Sequence, residues 1–258
     1  MASTRITLRI ISVLFVVLGT ALPTLAQPLP MVTKHLYEFA TPGGGGFPND
    51  QINDHQAFVN AAAFFQARNG YGTLILEDGE YIIGKQVLHW NNEPLPGPDW
   101  YGYYYPFGGS NCPSLVANQI GFVLNKCTRF TIQGGIDTKV RYRDCLYYGT
   151  FTRTPGTNDV YSAVAVPGCL SCQDSAHYEL PYELLHAEVG AMFTFYSCDS
   201  ITVRDLDLNG NIDAAILGGN SSDDGIQTGY DALVLYQSAN CLIDHVDAHH
   251  FGKDGLLI

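Results

Sequence analysis

Apolar and polar residues alternate with a two-residue period in short stretches, and one such stretch recurs along the second half of the chain. One copy begins at Phe193, and the next begins 40 residues later at Leu233. A related copy starts earlier, at Phe122, and another restarts 23 residues after Leu233, at Leu256. Two-residue alternation predicts β-strands, and recurrence at a fixed period predicts repeats that stack on one another.

A unit of about 23 residues with two or three short strands is the size of one coil of a right-handed parallel β-helix. The 40-residue step then holds one coil and a loop, which we place at about residues 212–230. If this step instead holds two short coils, residues 40 apart are not neighbours. The 71-residue step before Phe193 requires a longer insertion at about residues 136–189, and a further break in the pattern covers about residues 91–118.

A helical pattern precedes the first coil. Apolar residues recur at helical spacing from Ala57 to Phe65, after a capping-box-like start at Asn53 and Gln56, and Asn69-Gly70 ends the run. The open end of a β-helix needs a cover for its exposed strand edges, so this helix is predicted to cap the first coil. We therefore expect an all-β fold, a single right-handed parallel β-helix domain over residues 27–258 with an N-terminal capping α-helix and long loop insertions.

The chain also resembles a known family at this point. The run from Asp54 to Gly84, which includes Gly72-Thr73-Leu74 and Gly79-Glu80-Tyr81-Ile82, is similar to the N-terminal segment of pectate-lyase-superfamily proteins. In that family the segment is a capping helix that leads into a right-handed β-helix. The resemblance implies the fold and leaves the reaction open, because this fold hosts lyases, glycoside hydrolases, epimerases, phage tailspikes and adhesins.

A second resemblance concerns catalysis. Asn220 to Asp224 and then Asp254 look like the Asn-Thr-Asp and Asp-Asp motifs of polygalacturonases, in which aspartates act as general acid and activate water. Lys253 stands where that family has its other aspartate, and the later Gly-His-Gly and Arg-Ile-Lys motifs have no counterpart. Asp-Gly before a strand is also how a tight turn is made. We expect a polysaccharide hydrolase or lyase, and the alternative is a non-catalytic glycan-binding or adhesin-like β-helix.

Other candidate catalytic residues occupy outward positions of the last coils. Neighbouring strands lie about 4.8 Å apart, so a single coil pairs Asp205 with His245 and Asp207 with Asp247. Carboxylates this close share a proton or hold a cation, and hydrolases and lyases use both arrangements. The alternative is an ordinary polar ladder on a solvated face. The full set of candidates is Asp205, Asp207, Asp224, His245, Asp247, His249 and Asp254, with calcium as a cofactor if the protein is a lyase and no other metal site.

Aromatic residues are concentrated in the break at residues 91–118. Rings on an exposed loop suit stacking against sugars, and the alternative is that they pack the loop against the side of the β-helix. The predicted substrate-binding residues are Trp100, Tyr101, Tyr103 and Tyr104.

The N-terminus and the charge indicate location and partners. Residues 1–26 contain Arg5 and Arg9, an apolar run and a small-residue site at Ala26, which predicts a signal peptide and a secreted protein, extracellular or periplasmic. The run is too short to span a bilayer, and no later stretch does so. The net charge of −12 argues against nucleic acid and would repel a polyanion such as pectate unless a cation intervened. The predicted partner is a polysaccharide, and neutral glycans fit this surface more easily.

The seven cysteines divide into two groups. Register with the repeat places Cys127, Cys198 and Cys241 at inward positions, where they would be small core residues. The other four lie in the insertions and suggest up to two disulfides with open connectivity, and a zinc site at Cys169-x-x-Cys172 is the alternative. These four residues are Cys112, Cys145, Cys169 and Cys172.

The last strand pattern reaches Ile258 without a turn or covering helix after it. A β-helix needs a covered edge at this end, so the pattern predicts a C-terminally truncated fragment.

Overall fold

The computed structural model describes residues 30–42, 45–89, 114–117, 121–152, 164–165, 184–187, 189–217 and 230–258. These residues are mostly in β-strands, and the strands of the repeats pair in parallel. The predicted signal peptide lies outside them. Within this part of the chain, no helix has the length and apolar composition that crossing a membrane requires.

The described elements are one α-helix, two 3₁₀ turns and seventeen strands. The helix α1 spans His55–Gln66, and the 3₁₀ turns span Leu36–Phe39 and Ile212–Ala214. The strands are β1 Val32–His35, β2 Gly72–Ile75, β3 Gly79–Ile83, β4 Gln86–His89, β5 Ser114–Ala117, β6 Phe122–Asn125, β7 Phe130–Gln133, β8 Thr138–Tyr142, β9 Tyr147–Thr152, β10 Val164–Ala165, β11 Leu184–Ala187, β12 Gly190–Tyr196, β13 Thr202–Asn209, β14 Ile216–Leu217, β15 Tyr230–Tyr236, β16 Leu242–His249 and β17 Leu256–Leu257.

Strands one repeat apart pair in the register that the sequence predicts. β12 pairs with β15 so that Phe193 lies opposite Leu233, and β13 pairs with β16 so that Asp207 lies opposite Asp247. β17 then pairs with β15, with Leu256 opposite Leu233. The 40-residue step is therefore one coil, and the alternative of two short coils is wrong. These pairs are all parallel, which is consistent with a parallel β solenoid.

The long strand β13 of the seven-stranded sheet pairs with two shorter strands of the preceding coil. The first half of β13 pairs with β7 and the second half with β8. The bend between the halves lies at Asp205, and the equivalent bend in β16 lies at His245, where φ is +57° and +49° respectively. One coil earlier the corner is Gly134, where an added Cβ would lie 2.2 Å from the Asp205 carbonyl oxygen. The close stacking of coils therefore requires glycine there.

The insertion predicted at residues 136–189 begins later than the sequence suggested. Thr138–Tyr142 forms β8, which pairs with β3 and β13 and places Val140 in the core. The flanks of the insertions form a mixed sheet in the order β10-β14-β9-β11-β5-β4. The remaining insertion residues, 90–113, 118–120, 153–163, 166–183, 188 and 218–229, lie outside the described ranges.

The predicted helix forms and packs against the first complete coil. It begins at His55, directly after the N-cap residue Asp54, so the start lies slightly later than the capping box predicted at Asn53. Phe58 and Phe65 on its buried face are fully inaccessible to solvent. The ring of Phe65 lies with its centroid 4.9 Å from that of Phe130, so the helix joins the core of the stack.

One side chain of α1 completes the hydrogen bonding of β6. The Gln66 amide donates to the carbonyl oxygen of Asn125 at 2.9 Å and accepts the Asn125 N–H at 2.7 Å. These are the two bonds that a neighbouring strand would make at this position. The helix therefore covers the edge of β6, as the capping prediction requires.

The three cysteines predicted at inward positions are free thiols there. Cys127 and Cys198 are buried, and Cys241 is partly buried against the core. Two of them form a column at one corner, since the Cys127 N–H donates to Cys198 Sγ at 3.4 Å and the Cys198 N–H donates to Ser238 Oγ at 3.0 Å. We refer to Cys127, Cys198 and Ser238 as the corner column.

The predicted disulfides stay a prediction. Cys145 lies in the described part of the chain, whereas Cys112, Cys169 and Cys172 lie outside it.

The last coil is less buried than the coil before it. Ile243 and Val246 of β16 occupy the positions opposite Val203 and Leu206 of β13. Val203 and Leu206 are 0% and 3% exposed, whereas Ile243 and Val246 are only partly buried. The outer edge of β16 pairs with no strand of the described chain, so the interior of the stack is partly uncovered at this end.

Candidate functional site

The outward residues of β3, β8 and the second halves of β13 and β16 form a ladder of charges. Stacked pairing aligns Glu80, Lys139, Asp207 and Asp247 on successive strands. The next outward row contains Arg141, whose guanidinium lies 3.3 Å from a Glu80 carboxylate oxygen. In the row of Glu80, Lys139, Asp207 and Asp247, the sign of the charge alternates as far as Asp207, and Asp247 then adds a second negative charge.

Asp207 is the centre of the predicted patch. Its Oδ1 lies 2.8 Å from Nε2 of His249, and its Oδ2 lies 4.0 Å from Nζ of Lys139. The predicted adjacency of Asp207 and Asp247 is present in the strand register. However, two nitrogen groups also lie against the Asp207 carboxylate, so it resembles a member of an ion-paired ladder as much as a member of a carboxylate pair.

The pair at the corner is more weakly connected. His245 Nδ1 lies 4.0 Å from Asp205 Oδ1 and 2.9 Å from Asp244 Oδ1, and its side chain is 78% exposed. Arg204 lies 3.8 Å from the Asp205 carboxylate. Exposed pairs of this kind are screened by water and salt. Asp205 and His245 are therefore close, as predicted, but they form an open surface pair.

A second imidazole extends the patch beyond His249. His250 follows it in the chain, and the two Nδ1 atoms contact each other. Nε2 of His250 lies 3.6 Å from Oδ2 of Asp213, in the 3₁₀ turn after β13. The structure thus aligns Asp207, His249, His250 and Asp213 in one row.

Asp254 contacts a carboxylate that the sequence reasoning missed. The Asp254 N–H donates to Oδ1 of Asp231 at 3.1 Å, because β15 and β17 stack with these residues one coil apart. Asp231 is 1% exposed, whereas Asp254 is partly exposed. Burial raises the pKa of the Asp231 carboxyl; the Lys253 charge and the hydrogen bond from the Asp254 N–H oppose this rise, and the Asp254 charge adds to it. The two carboxyl groups therefore have different environments within one small site.

Simple alternation hides Asp231 because it shares the phase of Leu233. In the structure Ala232 belongs to the core as well as Leu233, so the alternation is interrupted directly after Asp231. The signal that could have found it is the repeat itself, since Asp231 and Asp254 are 23 residues apart and each precedes a copy of the same strand.

Other predicted site residues lie outside the described ranges. They are Asp224 and the aromatic residues Trp100, Tyr101, Tyr103 and Tyr104. Among the residues that the structure describes, no group of three or more His, Cys, Asp or Glu side chains is arranged to hold a metal ion. Calcium for a lyase therefore stays a prediction.

Comparison with known proteins adds no relative. No protein-family model, no curated protein and no solved structure matches this chain.

Proposed function

We propose that this chain is a secreted right-handed parallel β-helix of the pectate-lyase type that hydrolyses a neutral polysaccharide, with Asp231 and Asp254 as its acid–base pair. The parallel stack of coils and the N-terminal resemblance support the fold. The acidic composition supports a neutral substrate, because a polyanionic chain would be repelled.

The observation that carries this proposal is the buried Asp231 beside the partly exposed Asp254. Hydrolysis of a glycosidic bond requires one protonated carboxyl group and one carboxylate at the same bond. A buried carboxyl group beside a more exposed one meets this requirement. Asp231, whose pKa is raised by burial, is suited to be the acid, and Asp254 is suited to be the carboxylate.

In this reaction Asp231 gives its proton to the glycosidic oxygen as the bond to the anomeric carbon breaks. Water attacks that carbon, and Asp254 accepts the proton that the water loses. Lys253 lies next to the pair, and its charge opposes the rise in the pKa of Asp231.

The test is release of reducing ends from a panel of neutral polysaccharides by the secreted protein. Asp231→Asn and Asp254→Asn should each lower the rate at least about 100-fold, the scale at which removal of a general acid or base acts. Asp244→Asn, at the exposed corner, is the matched control and should leave the rate within about twofold. Circular dichroism and thermal melting establish that each variant is folded. Turnover by both Asp231→Asn and Asp254→Asn at the wild-type rate would exclude the proposed pair.

A non-catalytic glycan-binding protein is the second candidate, and one observation favours it. The rings of Tyr196 and Tyr236 stack across neighbouring coils with centroids 5.1 Å apart and planes at 18°, and Tyr236 is 49% exposed. An exposed aromatic ring is a surface on which a sugar can stack. In this case Tyr236→Ala should weaken retention on a polysaccharide column, and Asp231→Asn should leave retention unchanged with no turnover in any variant.

A further inference from the structure

We propose that Cys127 and Cys198 are a covalent modification site, at which a disulfide bond links two neighbouring coils of the stack. The structure holds both residues as free thiols in the corner column. This inference uses neither the acid–base pair nor the polysaccharide of the proposed function. It concerns a bond within the fold, so it can be tested on the protein without any substrate.

Strand register places the two cysteines one strand spacing apart. Thr128 forms a parallel bridge with Asp199, so the residues before them, Cys127 and Cys198, also lie opposite each other. Neighbouring strands lie about 4.8 Å apart, and disulfides join residues whose Cα atoms are about 4.4–6.8 Å apart. The backbone spacing therefore fits a disulfide between these two residues.

The side chains already meet at this corner. Sγ of Cys198 accepts the N–H of Cys127 at 3.4 Å, so this sulfur lies against the coil that contains its proposed partner. A hydrogen bond between the two thiols and burial both raise the pKa of Cys127. The other contacts of the Cys127 thiol are with the Asn125 carbonyl oxygen at 3.4 Å and with Oε1 of Gln66 at 3.7 Å. A thiol is a weak donor, so disulfide formation removes little hydrogen bonding.

The corner column offers these two thiols no competitor. Its next position is Ser238, whose hydroxyl cannot enter a disulfide. Cys241 is also a free thiol, but it lies opposite Ile201, because the next residues, Leu242 and Thr202, pair with each other. Among the described residues of the repeats, Cys127 and Cys198 are therefore the thiols that the register brings together.

The bond would join the coils on either side of the longest step in the chain. Cys127 follows β6 and Cys198 follows β12, and the two residues are 71 positions apart. In the chain-entropy model, a cross-link that closes a long loop restricts the unfolded chain strongly and so stabilises the folded state. A disulfide here would therefore fasten two coils that the sequence connects only through a long excursion.

The thiols must react before the coils close over them. Cys127 and Cys198 are 0% and 2% exposed, and buried thiols are unreactive. During folding, one thiolate attacks a small disulfide such as oxidised glutathione, which forms a mixed disulfide and releases one glutathione. The second thiolate attacks the protein sulfur of this mixed disulfide, which forms the bond between the cysteines and releases the second glutathione. The two cysteines lose two electrons and two protons, and the oxidised glutathione gains both.

The experiment refolds the full-length chain in a glutathione redox buffer, blocks the remaining thiols with an alkylating reagent under denaturing conditions, and maps the peptides by mass spectrometry. We expect two peptides joined through Cys127 and Cys198, with a mass two hydrogens below that of the reduced peptides, and an alkylated Cys241. The difference in melting temperature between oxidised and reduced protein should be about 5–15 °C smaller in Cys198→Ser than in the wild type, because one stabilising disulfide is lost.

Cys241→Ser is the matched control, because it removes an inward thiol that lies outside the corner column. It should leave the joined peptides and the melting difference unchanged. Ser238 shows that the column accepts a hydroxyl, and circular dichroism establishes that Cys198→Ser is folded. The proposal is overturned if Cys127 and Cys198 are both alkylated after refolding of the wild type, or if either is joined to a different cysteine. No turnover is measured, so neither result bears on the proposed acid–base pair.

Discussion

The two ends of the coil stack have the same inward sequence pattern and very different cover. At the N-terminal end β1 pairs along β2, and α1 lies on β6, so Phe58 and Phe65 are completely buried. At the opposite end β16 has no partner on its outer edge within the described chain. Ala248 of β16 is exposed there, whereas Leu208, its neighbour in β13, is fully buried.

This difference shows what an alternating pattern specifies. It fixes the side of the strand on which a residue lies, because successive side chains point to opposite faces. Whether an inward residue leaves water depends on the element that lies above it, and that element can be far away in sequence. Within the described residues, side chains beneath α1 should therefore contribute more to stability than the inward side chains of β16.

The largest effect is expected from truncating a ring under α1. Phe65→Ala removes a side chain that packs on Phe130 and should lower the free energy of unfolding by about 3–5 kcal/mol. Val246→Ala removes an inward side chain at the open end and should lower it by about 1 kcal/mol or less, because that residue is only partly buried. Urea unfolding of both variants measures the contrast, and equal losses would contradict this difference between the two positions.

A pH effect of intermediate size is expected at the covered end. The Asp54 carboxylate accepts the N–H groups of Gly46 and Ile82, and burial raises its pKa to about 6. An unfolded aspartate titrates near 3.9, so the folded protein binds more protons between these values. The free energy of unfolding should therefore fall by about 1–3 kcal/mol as the pH rises from 4 to 6.5 and change little above that range.

Asp54→Asn tests the origin of this slope. It should remove most of the decline, although it also alters two hydrogen bonds and so lowers stability at all pH values. Asp213→Asn changes a carboxylate that is 77% exposed and should leave the slope intact. A slope that persists in Asp54→Asn would assign the pH dependence to another group.

The smallest effect is expected at Gln66, whose side chain makes the hydrogen bonds that a neighbouring strand would make. Gln66→Ala removes both hydrogen bonds to Asn125 and should lower the free energy of unfolding by about 1–2 kcal/mol. Gln56→Ala is the matched control on the same helix, because its amide bonds to Asn60 on an exposed face, and it should cost less than about 0.5 kcal/mol. Amide hydrogen exchange at Asn125 should accelerate in the first variant alone.

The repeat pattern predicted the arrangement of coils because the register of a stacked strand follows from its apolar positions. Phe193 opposite Leu233 and Asp207 opposite Asp247 were both predicted from a single spacing, and the free inward thiols follow from the same register. The start of the insertion was predicted too early, at residue 136. Thr138–Tyr142 alternates in phase with the coil and is one of its strands, but the insertion that follows it made this strand look like part of the insertion.

The candidate site was predicted only in part, for two physical reasons. The contact between Asp207 and His249 joins residues two positions out of register, which depends on side-chain rotamers rather than on strand pairing. Asp231 was missed because the alternation is interrupted beside it, so its phase suggested a core position. The roles of all of these residues in function stay predictions.

The corner column links three successive coils by hydrogen bonds. The N–H of Cys127 is satisfied by Cys198 of the following coil, and the N–H of Cys198 is satisfied by Ser238 of the coil after that. At these two corners the backbone donor of one coil is therefore satisfied by a side chain of the following coil, which ties the register of each coil to that of its neighbour. Coils linked in this way can add one at a time to a folded neighbour, because each repeat contacts only the repeats beside it.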